Sequence, residues 1–378
     1  MILNEEQRLI RDTLRDFARE QLAPTAAEWD KQSAFPREAI QALAELGVWG
    51  MVVPEQWGGA GLDYLTLAVA LEEIAAGDGA TSTIMSVQNS LVCGILSRYG
   101  TDAQKERWLK GAASGEMLGC FCLTEPHTGS DAAAITTRAT KVSDGWTLNG
   151  VKQFITSGKN AKIAIVFAVT DPSAGKKGIS CFCVPTDTSG YVVARLEDKL
   201  GQHASDTAQI LFEDCHVAAD CLLGKEGDGY KIALSNLEAG RIGIAAQSVG
   251  MARAALEAAV RYAKERVTFG KAIIEHQAVN FRLADMATQI EVARQMVWHA
   301  ATLRDAGNPC LKEASMAKLF ASEMAERVCS DAIQIHGGYG VVADFPVERI
   351  YRDVRVCQIY EGASDIQRLV IGRAVAEQ

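Results

Sequence analysis

Apolar residues in the first third of the chain recur every three or four positions, which is the spacing of one face of an α-helix. Asn4 and Gln7 precede the first of these runs with the three-residue spacing of a capping box, so a helix is expected to begin there. Residues 54–62 contain three glycines and predict a loop. Further helical runs occupy residues 39–47, 65–76 and 82–99.

The helical spacing ends near residue 118, and short β-prone runs then alternate with turn residues. No helical run separates them, which favours an antiparallel sheet over alternating strand and helix units. Asn149 and Gly150 lie between two of the runs and predict a tight hairpin turn. The predicted strands are residues 146–148, 151–155, 163–169, 179–184 and 208–212.

The helical spacing returns in long runs that extend almost to the C-terminus, separated by short breaks with glycine or proline. This pattern is typical of an antiparallel helix bundle. The predicted helices are residues 230–265, 276–305, 311–335, 346–356 and 364–376. We therefore predict a multi-domain α+β fold with an N-terminal helical domain at 1–118, a central antiparallel β domain at 119–226 and a C-terminal four-helix-type bundle at 227–378.

The composition narrows the class of protein. With 378 residues, 48% of them hydrophobic and 22% charged, the chain is typical of a globular protein with more than one core. Its formal net charge of −9 disfavours nucleic acid as a partner, because polyanion binding requires a basic surface. No run of about 18 apolar residues occurs, so no membrane span is expected. The first residues lack the basic and apolar regions of a signal peptide, which predicts a cytoplasmic protein.

Ten cysteines raise the question of disulfides or a metal site. Cys120 and Cys122 form a Cys-x-Cys pair, as do Cys181 and Cys183, and both pairs lie in β-prone runs. Residues two apart on a strand share a face, so we expect these thiols to be buried, reduced packing residues. None of the cysteines has zinc-finger spacing, and no metal site is predicted.

Six short motifs follow one another along the chain in an order that resembles one enzyme family. Their sequences are LTEPHTGSD at 123–131, KQFITS at 152–157, RVTFGK at 266–271, QIHGGYG at 334–340, YRD at 351–353 and IYEGAS at 359–364. Together they resemble the motifs of acyl-CoA dehydrogenases over nearly the whole chain. The resemblance implies an FAD-dependent enzyme that converts a short acyl-CoA to the trans-2-enoyl-CoA and passes electrons to electron-transferring flavoprotein.

Glu361 is the predicted catalytic base. The reaction removes a proton from the carbon beside the thioester carbonyl while a hydride leaves the next carbon, and a desolvated carboxylate can accept that proton. The local sequence alone favours an ordinary glutamate before a helix start, so the resemblance carries the assignment. In some family members the base instead precedes the arginine of the long helix, but that position is Gly240 here.

The same resemblance implies which residues bind FAD. The chain has no strand–GxGxxG–helix unit, so a Rossmann mode of binding is not expected. The isoalloxazine ring is predicted to contact Leu123, Thr124, Phe154 and Thr156. The pyrophosphate and adenine are predicted to contact Arg266, Thr268, Phe269, Gln277, Gln334 and Gly338. Because the family shares this site between two subunits, the resemblance implies a homo-oligomer, either a dimer or a dimer of dimers.

Contacts with the acyl-CoA substrate are implied by the resemblance at Ser130, Glu238, Arg241, Tyr360 and Gly362. The backbone N–H of Glu361 and a ribityl hydroxyl of FAD are expected to hold the thioester oxygen as negative charge develops there. Ala363 stands where many family members have threonine, and members specific for short and short-branched chains also carry alanine. The predicted substrates are straight, 2-methyl-branched or aryl-ended short-chain acyl-CoA thioesters.

Two alternative functions fit the same fold. A flavin oxidase would pass electrons to oxygen, and one of the nitroalkane type would carry aspartate as its base, unlike Glu361. A non-catalytic CoA-binding protein would have no need to keep Glu361, Arg241 and the predicted FAD contacts together. Reoxidation of the reduced protein in air tests the first alternative, and bound flavin in the purified protein tests the second.

Overall fold

The computed structural model describes residues 2–377, and its first helix begins at the predicted cap. The Asn4 side chain accepts a hydrogen bond from the Gln7 backbone, and the Gln7 side chain accepts one from the Asn4 backbone, which confirms the capping box. Three π-helical segments, at residues 18–22, 87–93 and 105–109, each directly follow an α-helix. The helices of this part are α1 (Glu5–Phe17), α2 (Ala26–Gln32), α3 (Arg37–Glu45), α4 (Tyr64–Gly77), α5 (Gly79–Ser86), α6 (Gly94–Tyr99), α7 (Asp102–Gln104) and α8 (Lys110–Ser114).

The central part of the chain forms one sheet that is mostly antiparallel, as predicted. Its strands are β1 (Gly119–Cys122), β2 (Arg138–Val142), β3 (Gly145–Thr156), β4 (Ile163–Val169), β5 (Ile179–Pro185), β6 (Tyr191–Leu196), β7 (Thr207–Ala218) and β8 (Leu222–Leu223). The strand order is β6-β7-β3-β2-β4-β5-β8, and β1 pairs with β4. β1 departs from the predicted antiparallel arrangement because it runs parallel to β4. The single residue pair between β2 and β4 is also parallel.

The predicted hairpin at Asn149-Gly150 is wrong. β3 runs through both residues, and the turn that joins it to β2 lies at residues 143–144. The Asn149 side chain exchanges two hydrogen bonds with Asp214 on β7, and the register between β3 and β7 shifts beside Gly150. Gly150 has a φ of 153°, and a Cβ there would lie 2.5 Å from the Thr137 hydroxyl. Asn-Gly therefore forms a bulge within a continuous strand.

Five helices follow the sheet, and the three long ones pack against one another. α9 also packs against α4, where Gly250 permits a close approach, since a Cβ there would lie 2.2 Å from the Glu72 carbonyl oxygen. A two-stranded ribbon of β9 (Val267–Thr268) and β10 (Lys271–Ala272) separates α9 from α10. The helices are α9 (Gly229–Glu265), α10 (Gln277–Asp305), α11 (Leu311–His336), α12 (Val347–Val354) and α13 (Ser364–Ala376).

Two hydrophobic cores join the three parts of the chain. One core packs the N-terminal helices against the long helices of the C-terminal part. The other packs the sheet against the π-helical segment 87–93, α6 and α8, and the start of α9. Both cores extend along α9, and the candidate site lies beside this helix, so its walls come from all three parts.

All ten cysteines are buried and free of disulfides, and the Cys120 and Cys122 sulfurs lie 3.8 Å apart on one face of β1. This confirms the prediction that the Cys-x-Cys pairs are reduced packing residues. Between residues 2 and 377, no group of side chains has the arrangement of a metal site. Over the same range, every helix is too short or too polar to cross a membrane.

Candidate active site

Glu361 lies in the turn between α12 and α13 rather than at a helix start, because Ala363 is the residue that caps α13. Glu361 has a φ of 52° and Gly362 a φ of 94°, so two successive residues have left-handed backbone. Glycine tolerates that conformation, whereas for glutamate it is sparsely populated and strained. Backbone strain of this kind concentrates at functional positions. The 359–363 turn is therefore a candidate for a functional segment on backbone grounds alone.

The carboxyl group of Glu361 is removed from solvent without a compensating partner. Both of its oxygens are buried, and neither accepts a hydrogen bond from a residue in the range 2–377. Burial raises the pKa of this carboxyl to about 7, although the positive charges of Lys318 and Arg241 oppose the shift. A carboxyl with a pKa near 7 is half ionised at neutral pH and can accept a proton there, as a general base must.

Gly240 on α9 provides the space that the Glu361 carboxyl occupies. A Cβ at position 240 would lie 1.5 Å from Glu361 Oε2 and 2.6 Å from Glu361 Cδ. Any side chain at position 240 would therefore displace the carboxyl group. Glycine at 240 and glutamate at 361 are sterically complementary, although 120 positions separate them in the sequence.

Glu361 lines a narrow cavity of about 200 Å³ between α9, the sheet and the segment at residues 83–91. The apolar part of its wall includes Val87, Leu91, Leu237 and Ile244. The predicted substrate contacts on the wall of this cavity are Ser130, Arg241, Tyr360 and Gly362. The cavity therefore suits a short apolar chain whose polar end lies near the Glu361 carboxyl.

A second cavity, of about 690 Å³, adjoins the first on the side of the sheet. Phe154 lines both cavities, with a left-handed φ of 60° and 62% of its surface exposed. An exposed aromatic ring beside threonine hydroxyls fits a planar heterocycle with a polar edge, such as the isoalloxazine ring of FAD. The wall common to both cavities consists of Thr83, Thr124, Gly129, Ser130, Phe154, Thr156, Tyr360, Glu361 and Gly362. A chain in the first cavity and a ring in the second would therefore meet beside Glu361.

A buried ion pair between Lys152 and Glu125, which sequence analysis missed, lies where the sheet forms the wall of these cavities. Lys152 Nζ donates to Glu125 Oε1 at 2.8 Å and to the Leu123 carbonyl oxygen at 3.0 Å. Glu125 also accepts hydrogen bonds from Thr136 and Thr137. Burial alone would raise the pKa of Glu125, but the Lys152 charge and these bonds hold it at about 2. Lys152 fixes the backbone of Leu123 through its carbonyl oxygen. Because the Glu125 carboxylate is already bound by Lys152, Thr136 and Thr137, it is not a candidate for the base.

The two predicted substrate contacts on α9 have different surroundings. Arg241 donates to the Ser315 hydroxyl at 3.2 Å and lines the first cavity, and its Nε has no partner in the described part of the chain. Glu238 lines none of the three cavities described here. Its carboxylate accepts hydrogen bonds from Arg304 at 2.8 Å and from the Cys310 thiol at 3.2 Å. A substrate contact at Glu238 remains a prediction, and the structure gives its carboxylate other partners.

Tyr360 belongs to a buried polar network whose other members lie outside the six sequence motifs. Its hydroxyl donates to Gln247 Oε1 at 2.5 Å and accepts a hydrogen bond from Gln202 Nε2 at 3.3 Å. Gln202 Oε1 accepts a bond from the Thr83 hydroxyl at 2.6 Å. Because Thr83, Gln202 and Gln247 come from the N-terminal, central and C-terminal parts of the chain, the network ties all three to the 359–363 turn.

A third cavity, of about 550 Å³, shares no lining residue with the other two. Gly338 opens onto free space, since a Cβ there would meet no atom within 4 Å, and Arg266 offers several donors suited to a phosphate. The predicted FAD contacts that line it are Arg266, Thr268 and Gly338. The predicted contacts that are exposed and line none of the cavities are Phe269, Gln277 and Gln334. Within one chain, the predicted FAD contacts thus form two separate groups.

Three family models match successive segments of the chain, and together they span most of it. The model described as "Acyl-CoA dehydrogenase, N-terminal domain" matches residues 4–116. The model of the middle domain matches residues 120–215, and that of the C-terminal domain matches residues 227–376.

Individual relatives are similar over almost the full length. Short-chain specific acyl-CoA dehydrogenase, mitochondrial, from Rattus norvegicus is 48% identical over 369 residues, which cover 98% of this chain and 90% of the relative. The solved structure of butyryl-CoA dehydrogenase from Megasphaera elsdenii has a TM-score of 0.97 and 43% identity, and covers 100% of this chain and 99% of its own. A chain in a solved structure reported for the electron transferring flavoprotein of Acidaminococcus fermentans has a TM-score of 0.99 and 46% identity, with both chains fully covered.

Proposed function

The chain belongs to the acyl-CoA dehydrogenase family, and we propose that it oxidises short-chain acyl-CoA thioesters at C2 and C3 to the trans-2-enoyl-CoA. FAD is the cofactor of this family, and the side chains around the second and third cavities suit its ring and its phosphates. The observation that carries the proposal is the buried carboxyl of Glu361 on the wall common to the first two cavities, which accepts no hydrogen bond from the described part of the chain.

Glu361 is the proposed acceptor of the proton at C2. Between residues 2 and 377, no donor is bonded to its oxygens, so no protein group there must be displaced before the proton arrives. Lys318 and Arg241 stabilise the carboxylate form, which burial would otherwise suppress at neutral pH. FAD, when bound, supplies the acceptor for the hydride that leaves C3. Because no proton can leave C2 without a base, the rate should depend on the ionised fraction of Glu361.

The 359–363 turn is the proposed binding site for the thioester oxygen. Loss of the C2 proton moves negative charge onto that oxygen, so a donor aimed at it stabilises the transition state by about 3 kcal/mol. Successive backbone N–H groups in a turn that enters the left-handed region form a concavity that favours negative charge. Glu361 and Gly362 have that backbone conformation, which would place the donors and the base on the same two residues.

The size of the first cavity supports a short acyl chain as substrate. The cavity has a volume of about 200 Å³ and is lined by branched aliphatic side chains. Longer acyl chains would therefore clash with its wall. We expect the highest kcat/KM for chains of about four to six carbons, with 2-methyl-branched and aryl-ended chains still within the substrate class. Each buried methylene adds only about 0.8 kcal/mol, so discrimination against long chains comes from steric clashes.

This selectivity is measured by anaerobic reduction of the bound flavin with butyryl-, hexanoyl-, octanoyl-, isobutyryl-, 2-methylbutyryl-, phenylpropionyl- and palmitoyl-CoA. Butyryl- or hexanoyl-CoA should give a kcat/KM about tenfold or more above that of octanoyl-CoA, with palmitoyl-CoA lower still. A preference for palmitoyl-CoA would contradict the proposed chain length. Failure of every acyl-CoA to bleach the flavin would contradict the proposed reaction itself.

Electron-transferring flavoprotein is the proposed oxidant of the reduced enzyme, as the sequence resemblance implies. The neighbour with a TM-score of 0.99 comes from a structure reported for such a flavoprotein, which supports this choice. The alternative is a same-fold oxidase that reacts with oxygen. Stopped-flow mixing of the reduced enzyme with air-saturated buffer separates them, since reoxidation within the time of one turnover would favour the oxidase.

We also predict that FAD binding requires at least a dimer. Arg266, Thr268 and Gly338 line a cavity separate from the one beside Phe154, so a second subunit is the proposed source of one of the two groups for each FAD. Light scattering should give at least twice the 40.6 kDa chain mass, and dilution to monomers should release the flavin. A monomer that retains FAD after dilution would contradict this arrangement.

A further inference from the structure

Lys318 on α11 is a fully buried cation next to the turn that carries Glu361. Its Nζ donates a hydrogen bond of 2.7 Å to the Gly362 carbonyl oxygen, so the ammonium group lies one peptide unit away from Glu361. A buried lysine is costly unless its charge has a specific partner. The Gly362 carbonyl oxygen accepts its hydrogen bond, and the negative charge of Glu361 favours its protonated form.

A second donor contacts the same carbonyl oxygen. Gln367 on α13 is buried, and its Nε2 donates to Gly362 O at 2.8 Å and to Glu361 O at 3.4 Å. Lys318 and Gln367 therefore both hold the peptide between Gly362 and Ala363. This arrangement offsets the cost of the left-handed backbone at Glu361. The two donors differ in charge, which makes their roles separable by experiment.

The charged and titratable groups around Lys318 lie on α11 itself and on three further elements. Arg241 lies on α9, Cys357 in the 3₁₀ segment after α12, and Glu323 on α11 itself, while Glu361 lies in the turn. Burial lowers the pKa of Lys318 to about 8, against the opposing effect of Cys357 and Glu361. Lys318 is therefore mostly protonated at pH 7.

We propose that Lys318 is a positioning residue for the dehydrogenation, which fixes the turn at Gly362 and supplies positive charge that keeps the Glu361 carboxyl ionised. This inference rests on the proposed function of Glu361 as base and adds a second residue that controls it, although Lys318 itself lines none of the three cavities. Neither the local sequence of α11 nor any motif of the chain marks Lys318, because its partner is a backbone oxygen 44 residues away.

The test compares Lys318→Met, which removes a charge and a donor, with Gln367→Met, which removes a neutral donor to the same oxygen and to the Glu361 carbonyl oxygen. In Lys318→Met the midpoint of the Glu361 titration should rise by about one pH unit, because a positive charge that lowers the pKa of this carboxyl has been lost. Flavin reduction by butyryl-CoA at pH 7 should fall about fivefold and largely recover at pH 8.5. Lys318→Arg should keep the midpoint of the parent. Gln367→Met should slow reduction at every pH without moving the midpoint.

The midpoint is read directly from the carbon-13 NMR titration of glutamate carboxyls, with Glu361→Gln used to identify the resonance. The NMR titration needs no turnover. It therefore tests the role of Lys318 even if no acyl-CoA is oxidised and the proposed function fails. If Lys318→Met does not fold, Lys318→Gln carries the same expected rise, since it is also neutral. An unchanged midpoint in the neutral variants, or an equal rise in Gln367→Met, would overturn the inference.

Discussion

Glu361→Gln is expected to lower the rate of flavin reduction by butyryl-CoA by about 10²–10⁴-fold or more, which is the usual effect of removing a general base. The substitution keeps the size and shape of the side chain, so folding, FAD content and ligand binding should survive. The neutral amide of glutamine cannot accept the proton from C2. Stopped-flow absorbance of the flavin under anaerobic conditions measures the rate.

The matched control for this variant is Glu238→Gln. Glu238 is a second carboxylate near the site, but its Oε1 accepts hydrogen bonds from Arg304 and Cys310, and the residue lines none of the three cavities. We expect Glu238→Gln to reduce flavin within about tenfold of the parent rate, since it removes no base. Glu361 is not the base if Glu361→Gln bleaches its flavin within tenfold of the parent. Glu125 is excluded as a substitute by its ion pair with Lys152.

Gly240→Ala is the second variant for which we expect a large loss. The new Cβ would lie 1.5 Å from Glu361 Oε2, so the carboxyl must move to another position. A displacement of about 1 Å at a catalytic group can cost about 10²-fold in rate. Alanine is also the better helix former by about 1 kcal/mol, so the variant should unfold at the same temperature as the parent or higher. A loss of activity without a loss of stability is therefore the expected result.

Gly372→Ala is the control for this effect of helix propensity. Position 372 lies within α13, and a Cβ there would meet no atom within 4 Å. It should raise the unfolding temperature slightly and leave the rate of flavin reduction unchanged. Equal rates in Gly240→Ala and the parent would mean that the carboxyl position seen here is not the one used in the reaction.

The sequence predicted the helices well because their apolar spacing and caps are local properties. The Asn4–Gln7 capping box and the long helices α9, α10 and α11 lie within a few residues of their predicted positions. The Asn149-Gly150 pair misled the prediction because a bulge and a tight turn require similar residues. Whether Asn-Gly adopts a bulge or a tight turn depends here on Asp214 of a distant strand, and no local sequence pattern contains that information.

The sequence motifs predicted residues of the candidate site, but not how those residues pack against one another. The motifs pointed to Glu361, but its left-handed backbone and the burial of its carboxyl oxygens depend on packing. Gly240 and Lys318 contact the 359–363 turn from helices that are remote in sequence, so their effect on it could not be read from spacing. The same holds for Gln202, which reaches Tyr360 from the central part of the chain.

The most direct test of Glu361 as the base is the pH dependence of flavin reduction by butyryl-CoA in a single anaerobic turnover of the parent enzyme. Burial raises the pKa of the Glu361 carboxyl to about 7, and only the ionised form accepts the proton. The rate should therefore rise about tenfold per pH unit below the midpoint, pass through a midpoint near pH 7 and level off above it. An equal rate at pH 5.5 and pH 8.5 would contradict the assignment of this buried carboxyl as the base.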